Sequence, residues 1–321
     1  MPRFARLAVA TTGATLVLIA LGGVVRAMEA GLGCPDWPTC YGAPNPPSEL
    51  AAGPFRLAWI EHSHRLWASV VMALIVAMAV AARRSGQPRS VRRATLWLVP
   101  VVLSQALLGA IVVWAKLDAE TVTLHLGGAL TVLALSGFVT LRTLSPARPA
   151  GSTALAESTR GRALGRLATA TAAVTGGQML VGSSVTGYDA GLAFTTFPDF
   201  EGRALPTMTA HLAPWLHVTH RSLAYLLVAL VVVLVVRVRR TPDVDRAGVR
   251  LAGLVAGLVA VQVALGAANI WWRLSAWSVV PHLAVGAVIW LCAVLLVLRL
   301  RWQAAPSAVE PVSHVRAMAA R

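Results

Sequence analysis

The chain has 321 residues, of which 57% are hydrophobic and only 13% are charged. Soluble globular domains rarely have so apolar a composition, whereas membrane proteins with several spans do. The formal net charge of +15 would suggest a nucleic-acid partner for a soluble protein. Here the basic residues form short clusters between apolar runs, so the sequence favours a protein of the lipid bilayer that binds no nucleic acid.

Eight apolar segments follow one another along the chain, each about 20 residues long, which is the length that crosses the hydrocarbon core of a bilayer. They cover residues 7–27, 59–82, 94–115, 121–142, 164–187, 212–236, 249–271 and 277–300. Most arginines lie at the N-terminal tip, in every second connection and in the C-terminal tail. The positive-inside rule therefore predicts a multi-pass plasma-membrane protein with both termini in the cytoplasm and the loop of Cys34 and Cys40 outside.

The two halves of the sequence resemble each other. The matching stretches are "EHSHR" at 61–65 with "HVTHR" at 217–221, "QALLGA" at 105–110 with "QVALGA" at 262–267, and "HLGGA" at 125–129 with "HLAVGA" at 282–287. They occur in the same order at nearly constant spacing, and both halves run in the same direction. A parallel repeat of this kind predicts an all-α integral membrane fold of eight transmembrane helices, arranged as two tandem four-helix bundles related by a pseudo-two-fold axis along the membrane normal.

The repeat also sets the expected domain boundaries. The N-terminal bundle covers 1–142 and the C-terminal bundle covers 164–302. A basic cytoplasmic linker at 143–163 joins them, and a cytoplasmic tail follows at 303–321.

The repeat distinguishes the histidines that both halves share. His64 corresponds to His220 and His125 corresponds to His282, whereas His62 has no histidine counterpart. All four shared histidines lie at similar depths below the outer ends of their segments. Each bundle is therefore expected to hold two histidines at one level, on two different helices.

Two imidazoles that face each other inside a four-helix bundle can ligate a haem iron from both sides. Zinc would need three or four nitrogen, sulfur or oxygen ligands at a spacing that this sequence lacks. A single histidine in a membrane helix is often only hydrogen-bonded to a neighbour, but four duplicated histidines at one level favour haem. The arginines that follow two of them, Arg65 and Arg221, either extend toward the lipid headgroups or pair with haem propionates.

Together these residues resemble the haem A synthase family. The resemblance rests on E-x-x-H-R at 61–65, H-x-x-H-R at 217–221, the histidines at 125 and 282, and the outer loop "AGLGCPDWPTCYG". It implies an oxidoreductase that converts haem O to haem A. The C8 methyl of haem O is hydroxylated twice, and the resulting diol loses water to give a formyl group.

The resemblance also implies a division of labour between the halves. His220 and His282 are expected to keep a bound haem b with its iron, whereas His64 and His125 are expected to ligate the substrate haem O. A haem O synthase is the expected partner that supplies the substrate. The acceptor of the electrons is not identified by the sequence.

Glu61 occurs in the N-terminal half only, because its counterpart is His217. It lies one helical turn before His64 on the same face of the helix. We expect a catalytic role for this carboxylate, moving protons or stabilising positive charge at the methyl that is oxidised. The alternative is that it orients a histidine or pairs with Arg65.

The cysteine pair is also confined to the N-terminal half, where the corresponding stretch of the other half has Phe194 in place of Cys34. Facing an oxidising compartment, Cys34 and Cys40 are expected to form a disulfide. One hypothesis makes the pair redox-active above the substrate haem and therefore catalytic. The other makes it a structural link that contributes about 2 kcal/mol to stability.

Two other functions are compatible with parts of the sequence. An electron-transfer membrane cytochrome with two b haems accounts for the four histidines, but not for the features found in one half only. A transporter is compatible with the parallel repeat, but here the polar residues lie near the outer face and not at the midplane.

Overall fold

The computed structural model describes residues 1–145 and 158–303, and over these residues every long element is an α-helix. The helices are α1 Arg3–Ala27, α2 Ala52–Arg84, α3 Arg89–Trp114, α4 Ala119–Leu144, α5 Thr159–Gly187, α6 Leu212–Arg239, α7 Arg246–Trp271 and α8 Ala276–Gln303. The predicted all-α fold with eight long helices is confirmed. Most of the predicted linker, 146–157, and the tail beyond 303 lie outside the described residues, so the domain boundaries stay predictions.

Most helices are longer than the apolar segments predicted for them. The clearest case is α2, which begins at Ala52 and not near Trp59, and which continues to Arg84. A helix satisfies its own backbone hydrogen bonds, so it does not have to end where the apolar sequence ends. Arginine side chains at such an end can extend into the headgroup region.

Among the described helices, seven are long and apolar enough to cross a membrane, and α5 is not one of these. Helix α5 has 29 residues, but threonine, serine and glycine recur along it. Two of its buried hydroxyls, on Thr171 and Thr175, donate to carbonyls of their own helix at 2.9 and 2.8 Å. Because α5 also contacts α4, α6 and α8, these polar groups are enclosed by protein, and we treat α5 as the eighth span.

In each half the four helices form a ring. Helices α1 and α3 each contact α2 and α4, while α5 and α7 each contact α6 and α8. The rings meet where α8 contacts α1 and α4, and where α4 contacts α5. This arrangement is consistent with two tandem four-helix bundles packed side by side. We call the end that carries the connections 28–51 and 188–211 the loop end.

The apolar cores lie away from the loop end. Ile75 and Met78 of α2 are fully buried in the first bundle, and Leu234 and Val238 of α6 are buried in the second. His64 and His220 precede these residues on the same helices, and His125 and His282 lie near the starts of α4 and α8. All four therefore lie between the apolar core and the loops. The fold thus leaves one polar layer in each bundle, near the loop end.

Candidate functional site

His220 on α6 and His282 on α8 face each other inside the second bundle. Their ring centroids are 6.4 Å apart, and the ring planes are inclined at 57°. Two imidazole nitrogens that bind one metal ion at about 2 Å each bring their ring centroids to about 6 Å apart. The spacing of this pair therefore suits ligation of one iron from opposite sides.

His64 on α2 and His125 on α4 occupy the corresponding places in the first bundle, and their imidazoles are near enough to interact electrostatically. In all four paired histidines the Nδ1 atom is buried and has no hydrogen-bond partner among the described residues. Buried polar atoms are rarely left without a partner, and such atoms often mark a ligand site. Paired imidazoles in four-helix bundles are a donor set that haem iron accepts, so these residues fit a haem in each half.

Glu61 is almost fully buried, with 4% of its surface exposed. One carboxylate oxygen accepts a hydrogen bond from the backbone amide of Cys34 at 2.8 Å, and the other pairs with Arg65. His217 takes this place in the second half, where its Nε2 accepts from the arginine one turn later at 3.0 Å and its Nδ1 lies 3.4 Å from the amide nitrogen of Phe194. Both side chains connect a helix to the loop before it, but only Glu61 can supply a carboxylate to a reaction.

Arg65 and Arg221 turn toward the loop end and donate to backbone carbonyls there. The acceptors are the oxygens of Asp36 and Thr39 for Arg65, and those of Asp199 and Thr196 for Arg221, all at 2.8 or 2.9 Å. Each arginine therefore fixes the loop above its own bundle. Contact with haem propionates stays a prediction for both residues.

Cys34 and Cys40 form the predicted disulfide, and neither side chain is exposed. The pair packs against Ala58 of α2. At the corresponding positions of the second half, the rings of Phe194 and Phe200 meet edge to face with centroids 5.0 Å apart. The two loops are thus closed at the same place, by a covalent bond in one half and by an aromatic pair in the other.

Asp36 stabilises the loop of the first half from within. Its carboxylate accepts from the Thr39 hydroxyl and from the backbone amides of Tyr41 at 2.6 Å and Gly42 at 2.9 Å. Burial opposes ionisation of this carboxyl, but the three hydrogen bonds outweigh that effect and hold its pKa below the ordinary value. The loop is therefore fixed by a carboxylate that stays charged at neutral pH.

Known proteins are similar to this sequence over most of its length. The sequence model of a family described as cytochrome oxidase assembly protein, COX15-CtaA, matches residues 5–294. The chain belongs to the COX15-CtaA family.

Relatives of this COX15-CtaA chain include proteins named heme A synthase. One from Shewanella oneidensis is 28% identical, over 86% of this chain and 87% of its own length. One from Paracoccus denitrificans is 31% identical, over 79% of this chain and 76% of its own length. A Bos taurus protein named heme A synthase COX15 is 27% identical, over 79% of this chain and 71% of its own length. The resemblance to the haem A synthase family is therefore confirmed.

Two glutamines of this COX15-CtaA chain contact the histidine pair of the second half, and the sequence motifs did not mark them as site residues. The Nε2 atom of Gln178 lies 3.3 Å from Nε2 of His220, and Gln262 donates to the carbonyl of His282 at 3.0 Å. Gln178 corresponds to Leu18 in the first half. The exchange of leucine for glutamine between the halves is the sequence feature from which this additional polar group of the second site could have been predicted.

Proposed function

We propose that the protein is a haem A synthase, which oxidises the C8 methyl of haem O to the formyl group of haem A by two hydroxylations and loss of water. The observation that carries this proposal is the histidine pair in each bundle, of which His220 and His282 are spaced to share one iron. Relatives of similar length that are named heme A synthase support it. Two separate sites suit a reaction in which one haem is retained while the other is changed.

In this proposal His220 and His282 hold haem b, whereas His64 and His125 hold haem O. Gln178 distinguishes the two sites, because its amide lies 3.3 Å from Nε2 of His220 where the first half has Leu18, and it would release that nitrogen when iron binds. The retained group would gain a polar neighbour that the exchangeable substrate lacks. Haem b, when bound, supplies one-electron redox chemistry at the second site.

The first half carries the groups that act on the substrate. His64 and His125 fix the iron of haem O and with it the plane of the macrocycle, which positions the methyl at its edge. Glu61 is the proposed group that moves protons during the oxidation or stabilises positive charge at the methyl that is oxidised. Its bonds to Cys34 and Arg65 hold the carboxylate in one orientation before the substrate arrives.

The remaining roles follow from the position of the site near the loop end. Arg65 and Arg221 are the proposed partners of haem propionates, for which they would exchange part of their bonding to the loop carbonyls.

A haem O synthase supplies the substrate, and the electrons removed from haem O pass to an acceptor outside this chain. The orientation proposed from the arginine distribution places the loop end outside the plasma membrane.

A second candidate function is electron transfer between two b haems without turnover. One observation favours it, namely that each feature peculiar to the first half has a structural counterpart in the second. Glu61 and His217 each accept from the arginine one turn later, and the Cys34–Cys40 disulfide stands where Phe194 and Phe200 pair. These differences could therefore serve the fold without serving a reaction.

Expression of the full chain with and without a haem O synthase separates the two candidates. Haem extracted from the purified protein and from its membranes is identified by chromatography and mass. The proposed enzyme should yield haem b alone without the synthase, and haem b with haem O and haem A when the synthase is present. Two equivalents of haem b per chain under both conditions, with no haem A, would assign the cytochrome instead.

A further inference from the structure

Each of the four paired histidines lies against a glycine of the helix that precedes its own. If a methyl group is built on that glycine, the nearest atom beyond its own helix is Cε1 of the histidine. The separations from the added carbon to Cε1 are 3.3 Å for Gly22 with His64, 3.5 Å for Gly109 with His125, 2.9 Å for Gly182 with His220 and 3.3 Å for Gly266 with His282. Each of the four histidine rings therefore lies in space that a side chain on the preceding helix would otherwise occupy.

The four contacts recur in the repeat. Gly22 on α1 and Gly182 on α5 adjoin the first histidine of each half, and Gly109 on α3 and Gly266 on α7 adjoin the second. Residues around the first pair of glycines differ between the halves, as in "ALGGV" at 20–24 and "LVGSS" at 180–184. The glycine and the histidine are nevertheless paired in the same way both times.

Helix packing alone does not explain the contacts. Small residues at helix interfaces usually let an aliphatic side chain or a second backbone approach, and Gly23 does this for Leu283 of α8. Its neighbour Gly22 behaves differently. Among the described atoms, those within 4 Å of a methyl built on Gly22 belong to His64.

We propose that these four glycines are positioning residues, each of which sets the distance and rotation of one haem-ligating imidazole and so aims its nitrogen at the iron. Histidines bound to metals are normally oriented by a hydrogen bond from the other ring nitrogen. Here the Nδ1 atoms make no hydrogen bond of good geometry within the described parts of the chain. The rings of His220 and His282 do interact with the backbone of Gln178 and Gln262, four residues before Gly182 and Gly266. Each glycine lets the ring lie directly against the backbone of the preceding helix, and this close approach fixes the orientation of the ring. The inference rests on the proposed haem function.

The separations predict a graded response to added methyl groups. At 2.9 Å, a methyl on Gly182 overlaps the ring of His220, so the ring has to move. At 3.3 Å, Gly22 and Gly266 require a shift of the ring by a smaller amount, whereas 3.5 Å at Gly109 is an ordinary contact. Replacement by alanine should therefore disturb the ligand most at Gly182 and least at Gly109.

The experiment uses single glycine-to-alanine variants of the full chain, purified in detergent. Haem b per chain, the Soret band and the low-spin electron paramagnetic resonance signal are measured, because the last reports the relative orientation of two axial imidazoles. Gly182→Ala should lower the affinity for haem b about 10-fold or more. Gly266→Ala should retain more haem and shift the resonance signal.

Matched controls are available on the same two helices. A methyl built on Gly177 of α5 or Gly257 of α7 has no described neighbour within 4 Å. Alanine is the better helix former, so Gly177→Ala and Gly257→Ala should keep the parental haem content and spectra with undiminished thermal stability.

The proposal is overturned if Gly182→Ala and Gly266→Ala keep the parental haem content and resonance signal, or if the controls lose haem equally. Should Gly182→Ala not fold, the less crowded Gly266→Ala carries the test through its spectrum. A parental protein that binds no haem would instead refute the proposed function, so the two failures are distinguishable.

Discussion

Glu61 shows how much one residue can change within a repeated structure. It and His217 occupy corresponding places on α2 and α6, and each accepts from the arginine one turn later and lies beside a loop amide. The carboxylate is buried at 4% exposure, one turn from His64. A buried ionisable group in a membrane protein is costly, and such groups commonly serve function, which supports the catalytic role proposed for Glu61.

Replacing Glu61 by histidine gives the first half the residue that the second half has at the corresponding position. Glu61→His should keep the contact with Arg65, the fold and the bound haem b, because His217 already accepts from Arg221 at the corresponding place. Haem A formation should fall about 100-fold or more, since general acid–base or electrostatic assistance is lost. Glu61→Gln is the companion variant, and product formation at the parental rate in either protein would exclude the carboxylate from the mechanism.

The role of the buried disulfide can be tested in the same way, by replacing both cysteines with the phenylalanines that stand at the corresponding positions of the second half. A Cys34→Phe/Cys40→Phe variant copies Phe194 and Phe200, whereas Cys34→Ser/Cys40→Ser only removes the bond. The serine variant should lose about 2 kcal/mol of unfolding free energy, measured by denaturation in detergent. The amount of haem A that each variant forms decides the role of the pair. Loss of haem A at unchanged haem b content would assign the pair a redox function, and continued formation of haem A would make it a structural link.

At the scale of single residues, the repeat predicted which residues correspond but not what they contact. It selected His64 over His62, and it aligned Glu61 with His217. It did not show that Arg65 bonds to loop carbonyls 26 and 29 residues away. Such contacts depend on the path of the loop, which hydrophobic periodicity does not specify.

Among the elements, α5 and the interface it shares with α4 and α8 depart furthest from expectations based on hydropathy. Apolar length predicted the positions of all eight helices, because a bilayer demands about 20 such residues. It could not fix the helix ends, since backbone bonding continues past the apolar region. It also could not show that the polar residues of α5 are shielded by neighbouring helices.

Trp290 of α8 joins the two bundles through a polar contact, and its removal should weaken their association. Its indole nitrogen donates to the carbonyl of Leu130 on α4 at 3.0 Å, while its ring packs on Gly176 of α5. Trp290→Phe should cost about 1 kcal/mol of unfolding free energy. Trp97→Phe is the control, because Trp97 is 67% exposed; an equal loss in both variants would contradict a specific role for the contact.

For the whole molecule, two rings of helices place both histidine pairs toward the loop end, and the arginine distribution predicts that this end is outside. Single cysteines at exposed positions test the orientation, since the native cysteines are all buried. Ser48→Cys in the first long loop should react with a membrane-impermeant maleimide in intact cells. Ser90→Cys at the start of α3 should react only after permeabilisation, and the opposite pattern would invert the topology.

The central claim is that each half builds its own bis-histidine haem site, and spectra of ligand variants test it most directly. His220→Ala and His282→Ala should each remove the tightly bound haem b and its low-spin signal. His64→Ala and His125→Ala should leave that signal intact and remove only the haem acquired when a haem O synthase is present. Retention of low-spin haem b in a protein that lacks both His220 and His282 would contradict the account.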